Sequence, residues 1–129
     1  MPNPELSQLQ AYIDQLIEAT RSGLVTWKAA NPTTYYWNTQ GPPKARLILQ
    51  RSDRIKPKRD TDGTYRPAKV PFYQLQAFEI TESSETLLRI SVDSEEESLS
   101  SKLESLYEFI KTGISQQALD FLKEIIPHP

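Results

Sequence analysis

Apolar residues change their spacing twice along this chain, and that change sets the fold class. Near the N-terminus Leu6, Leu9, Ile13, Leu16, Ile17 and Thr20 fall on one face of a helix. Near the C-terminus Leu99, Leu103, Leu106, Tyr107 and Ile110 repeat that pattern, and Ala118, Leu119, Leu122, Ile125 and Ile126 form another apolar face. Between them the period drops to two: Ala45, Leu47 and Leu49 alternate with polar residues, as do Tyr73, Leu75 and Ala77, then Leu88, Ile90 and Val92. Helices at both ends and strands between predict an α+β domain.

The boundaries follow from local chemistry. Asn3 is a suitable N-cap and Pro4 suits the first helical position, so the first helix spans about 4–22. Gly23 stops it, and Leu24 is placed to pack back on the last turn. Leu24–Asn31 is anchored by Trp27, and Asn31-Pro32 is a turn. Strands are expected at 33–39, 44–52, 72–81 and 86–93. Phe78 and Ile80 point away from the alternating set before them, which implies a β-bulge or a partly covered second face. A serine near Ser98 caps the next helix, and Thr112-Gly113 ends it. Ser115 caps a last helix, with Ile114 and Leu119 as its hydrophobic staple and Pro127 as its stop. The expected architecture is an N-terminal helix, a four-stranded mainly antiparallel sheet and two C-terminal helices packed with the first on one sheet face. At 129 residues this is one domain, 1–129.

Residues 53–71 interrupt the pattern. They carry no periodic apolar set, three prolines (Pro57, Pro67, Pro71) and an Asp62-Gly63 turn signal, which predicts a long excursion or loose hairpin. They also lie within a charge asymmetry hidden by the net charge of −2. Residues 44–69 balance at +6 and the rest at −8. Arg51, Arg54, Lys56, Lys58, Arg59, Arg66 and Lys69 are therefore candidate contacts to phosphate or nucleic acid. A solvated basic loop is the simpler account, because no helix-turn-helix, zinc-finger or RNP-like run accompanies them and Tyr65 alone is no stacking platform. Asp60 and Asp62 begin like a calcium loop, but its twelfth position is Pro71, so a plain turn is expected.

The chain holds no cysteine, and its single histidine, His128, is next to last. That removes thiol nucleophiles, Ser–His pairs and the usual zinc sets. No catalytic, cofactor or metal residues are assigned, and a carboxylate enzyme is the least favoured reading, since it needs a pocket that shifts an acid's pKa. No apolar run reaches the ~18 residues a membrane span requires, and the N-terminal residues do not read as a secretory signal. A cytoplasmic location with no membrane partner is expected. Tyr36, Ile48, Phe78 and Ile80 are placed to share the sheet face away from the helices, which makes them the candidate protein interface. The leading expectation is a non-enzymatic interaction module that binds a protein partner or a second copy of itself. Nucleic-acid binding through Arg51–Lys69 is the alternative.

Leu16-Ile17-Glu18-Ala19-Thr20, followed by Gly23 and Trp27, and later Leu103 with Leu106-Tyr107-Glu108 and a helix over 116–126, resemble a loose group of small stand-alone bacterial proteins of unknown function. The resemblance spans both ends of the chain and implies the fold above. It implies no activity, and it carries over no site residues.

Overall fold

The computed structural model describes residues 4–39 and 41–127, so the Asn3 cap and His128 lie outside the described residues. The first helix, α1, spans Pro4–Arg21. Its exit follows from Gly23, whose φ of +83° is one that L side chains rarely adopt. That conformation lets the Leu24 N–H donate to the Ala19 carbonyl at 2.9 Å and the Gly23 N–H to the Thr20 carbonyl at 3.3 Å. Leu24 does not pack on the last turn as expected. It is 80% exposed, and Val25 is buried instead. The turn delivers Trp27 to the core, where its indole Nε1–H donates to Thr20 Oγ1 at 3.0 Å while the Thr20 hydroxyl donates to the Leu16 carbonyl at 2.8 Å.

Five strands follow, one more than expected: β1 (Lys28–Asn31), β2 (Thr34–Asn38), β3 (Ala45–Arg59), β4 (Tyr65–Ile80) and β5 (Thr86–Asp93). They form an antiparallel meander in the order β1-β2-β3-β4-β5. The additional strand is β1. All four of its residues are exposed, so no buried face imprinted an alternating pattern on its sequence. The bulge expected near Phe78 is present, but the extra residue belongs to β5. Ala77 pairs with Ile90 and Phe78 with Leu88, which leaves Arg89 unpaired between them. The bulge corrects the expectation that Leu88, Ile90 and Val92 share a face. Ile90 and Val92 line the helix side with Ala77 and Leu75, whereas Leu88 sits opposite Phe78 on the open side.

One helix closes the chain where two were expected. This helix, α2, runs unbroken over Glu97–Ile125. Gly113 is an interior residue, not a stop, and Ser115 caps nothing. A single interior glycine costs roughly 1 kcal/mol relative to alanine, too little to end a helix with apolar residues on both sides. The entry differs as well: the cap residue is Glu96, with φ −78° and ψ 107° and no side-chain cap bond. Ser98 lies inside the first turn and donates to Glu96 Oε1 at 3.1 Å.

Both helices cover one face of the sheet and run side by side in the same direction. Leu6 and Leu9 lie by Leu99, Asp14 pairs with Lys102 at 2.5 Å, and Thr20 and Gly23 lie by Ile110 and Gly113. The core joins Ile13 and Trp27 to Tyr35, Leu49, Tyr73 and Leu75 of the sheet and to Leu99, Leu103, Leu106, Tyr107 and Ile110 of α2. Three tyrosines meet in it, with Tyr107 centred 5.1 Å from Tyr35 and 5.3 Å from Tyr73.

Candidate functional site

Two parts of the molecule leave this body, and both carry exposed chemistry. One is the far half of the β3–β4 hairpin. β2 pairs with β3 only as far as the Arg51 N–H bond to the Thr33 carbonyl, and β5 accompanies β4 only as far as the bonds between Ser94 and Tyr73. From Ser52↔Phe72 out to Arg59↔Tyr65, β3 and β4 have only each other. The segment over 53–71 is thus a hairpin of regular paired strand, where sequence alone predicted a long excursion or loose hairpin. It reads as loop because neither face is covered, so no apolar alternation is required. The ribbon reaches about 25 Å beyond the sheet at ~3.4 Å per residue. Its tip is a tight turn. The Asp60 N–H donates to the Thr64 carbonyl at 2.7 Å, the Gly63 N–H donates to the Asp60 carbonyl at 3.0 Å, and Gly63 has φ +88°. Hydrogen bonds from the Thr64 hydroxyl and N–H hold the Asp62 carboxyl below its usual pKa. With Asp60 paired to Arg66 at 2.8 Å, both acids of the calcium-like motif serve the turn.

Register sorts the candidate cations by face. Arg54, Lys56 and Lys58 alternate along β3 opposite Val70, Ala68 and Arg66, so these four cations share the face that continues the open side of the sheet. Arg59 and Lys69 lie on the other face with Ile55, Pro57, Pro67 and Tyr65. Glu95, in the β5–α2 turn, holds the foot of the stripe: it lies 3.6 Å from Arg54 and 3.3 Å from Lys56. The Arg54 guanidinium also stacks 3.5 Å above the buried Phe72 ring. Lys58, Arg59 and Lys69 form no ion pair among the described residues. Arg51 belongs to the body: burial works against its charge, yet Tyr73 and Asp53 outweigh that and raise its pKa.

The open face holds the expected interface residues. Tyr36 pairs directly with Ile48, Phe78 lies opposite Arg46, and Ile80 follows at the end of β4. All four are half-buried. Arg46, whose guanidinium sits 5.5 Å from the centre of the Tyr36 ring, and Gln76 interrupt them, so the apolar residues form short islands in a polar sheet.

The larger apolar exposure is elsewhere. α2 overshoots α1, and every residue from Ser115 to Pro127 is exposed. Leu119, Phe121, Leu122, Ile125 and Ile126 are each between 46% and 59% exposed. With Ala118 they occupy an arc of about 160° at 100° per residue, opposite Gln116, Gln117, Asp120, Lys123 and Glu124. The sequence showed this apolar face but not that the body stops short of it. A second apolar surface is a groove of about 370 Å³ between α1 and the sheet, lined by Tyr12, Leu16, Trp37, Leu47, Ala77 and Ile90 among others.

Among the described residues, no group of three acidic or histidine side chains could hold a metal ion, and no helix is long and apolar enough to cross a membrane. A wider cleft, of about 840 Å³, is open and lies between the β2–β3 loop and the β4–β5 turn. Its Glu79 is engaged by Arg89 at 2.8–2.9 Å. No known protein family, curated protein or solved structure matches this chain.

Proposed function

We propose that this protein is a non-enzymatic interaction module that pairs with a second copy of itself through the last third of α2. The observation that carries this reading is the exposed amphipathic helix beyond Gly113. A helix of a dozen residues is marginal in water unless its apolar face is covered, and α2 extends about 18 Å past its own body at 1.5 Å per residue. Five large side chains of about 200 Å² each, half exposed, offer on the order of 500 Å² per copy. Two copies would bury on the order of 1,000 Å², near the threshold for a specific interface.

The tail is also self-complementary. An antiparallel pairing centred between Phe121 and Leu122 sets Phe121 of one copy against Leu122 of the other, and Ala118 against Ile125. A two-fold interface requires this reciprocity.

Light scattering on the eluting full-length protein tests the reading. The expected mass is twice the 14.8 kDa chain. Phe121→Asp together with Leu122→Asp should return it to 14.8 kDa with the near-ultraviolet dichroism of the buried Trp27 unchanged. A wild-type chain that stays at the single-chain mass up to its solubility limit, or a double variant that still pairs, overturns it.

A further inference from the structure

We propose that the β3–β4 arm is a binding site for duplex DNA, with its cationic face laid into the major groove. The arm has the right dimensions: a two-stranded ribbon enters a B-form major groove, which is roughly 12 Å wide. Arg54, Lys56 and Lys58 repeat about 7 Å apart on one side of β3, and Arg66 joins them from β4.

Lys58 and Arg66 stand directly opposite each other. Like charges at such a position destabilise a free ribbon, and a line of phosphates between and beside them removes that repulsion. Asp60 offsets Arg66 in part, and no acid is paired with Lys58.

The prolines point the same way. Pro57 pairs with Pro67, and Pro71 with Asp53, four residues along the same strand. Pairs that differ by an even step are of one type, so all three prolines occupy the positions whose N–H groups would point outward from the ribbon. The missing donors leave the arm's edges poorly suited to pair with another strand. Its faces remain as the binding surfaces, and the cationic one continues into a polar sheet face bearing Gln50, Gln74, Gln76 and Arg46.

A duplex is favoured over a single strand because Tyr65 is the arm's one exposed ring, too little for a stacking platform. DNA is favoured over duplex RNA because the A-form major groove is too deep and narrow to admit the arm. The long Arg and Lys side chains reach outward to the phosphates that rim the groove, and binding through such contacts is independent of sequence. Glu95 acts against it by neutralising the foot of the stripe.

Fluorescence anisotropy with a labelled mixed-sequence DNA duplex of roughly two helical turns tests the proposal. Four phosphate contacts predict a log–log salt slope near −3.6, and affinity falling roughly a hundredfold between 50 and 200 mM salt. Lys58→Gln with Arg66→Gln should cut that fall to about tenfold, and Glu95→Gln should tighten binding. These side chains are exposed, so an unchanged thermal melt will confirm that each variant is folded. Three results would overturn the proposal. One is no duplex binding at ~50 mM salt, where electrostatic affinity is high. Another is a double variant with the wild-type salt slope. The third is equal or tighter binding to single-stranded DNA, to duplex RNA or to vesicles of anionic lipid.

Discussion

The two ends of α2 have similar apolar content and opposite surroundings. Over Leu99–Ile110 its apolar residues meet α1, β3, β4 and β5, and Leu99, Leu103 and Leu106 are fully buried. Over Ile114–Ile125 the same helix carries five large apolar side chains against six, and only Ile114 is even half-buried. The β3–β4 hairpin repeats the contrast. Near the body it carries Leu49, Tyr73 and Leu75 into the core, and beyond Phe72 only Ala68 and Val70 are even half-buried. Periodicity reports which face of an element is apolar. What covers that face depends on where the neighbouring elements end, here Arg21 for α1 and, for the strands flanking the hairpin, Thr34 and Asp93.

Paired alanine substitutions in the two ends of α2 sharpen that contrast most strongly. Leu106→Ala opens a cavity in a fully buried site and should cost about 3 kcal/mol, lowering the melting midpoint by about 10 °C. Leu122→Ala at low protein concentration should leave the midpoint within a degree or two, since exposed substitutions fall within ~0.5 kcal/mol. Its effect should appear in the dimer dissociation constant. A dilute Leu122→Ala chain that melts like Leu106→Ala would show that the tail packs on its own body, and the contrast would fail.

A smaller effect separates the two ends by pH. Burial, and after it the neighbouring Tyr35, pushes the Tyr107 hydroxyl up to about 12 from an ordinary value of 10. The folded chain therefore holds this proton more tightly than the unfolded chain does. The associated stability is fully present below about pH 10 and is lost as pH rises toward about 12. Tyr73 moves in the same direction, again through burial first and with Arg51 opposing it. Denaturant melts at increasing alkalinity should show the loss in the wild type and a shallower one in Tyr107→Phe. An equal slope in that variant would remove Tyr107 as the cause.

What the sequence made legible follows the same division. α1 was readable almost to the residue, because Pro4 and Gly23 mark its ends and its buried stripe has helical period. The helix-side alternation of β3 and β4 was readable because those strands bury one face. β1 was not, since nothing covers it. Thr112-Gly113 read as a helix end because glycine commonly follows one, yet at Gly113 the helix simply continues. The cations over 51–69 were visible as composition, but their division between two faces was not. That depends on the register that Leu49↔Leu75 and its neighbours impose from inside the sheet. The apolar tail of α2 was visible as a face and its exposure was not, because exposure depends on the length of α1.

The smallest expected effect concerns the arm. Replacing Pro57–Pro67 with Asn-Gly joins Lys56 to Ala68 through a two-residue turn and keeps Arg54 stacked on Phe72 and paired with Glu95. The residues removed are exposed on both faces, with Tyr65 at 68%, so little apolar burial is lost. The ladder bonds removed are exposed to water, which competes for them, and a hydrogen bond's net contribution is about 1 kcal/mol even where it is well protected. Against that loss, the shortened chain no longer has to order those residues at ~1–2 kcal/mol each, and the shorter connection is easier to close, since loop length enters closure entropy only logarithmically. The two sides nearly cancel, and the melting midpoint should move by no more than about 2 °C. A fall of several degrees would show that the arm is held by the body and would make the hairpin one structural unit. An unchanged midpoint with duplex binding abolished would separate the two halves cleanly, the near half serving the fold and the far half serving the ligand.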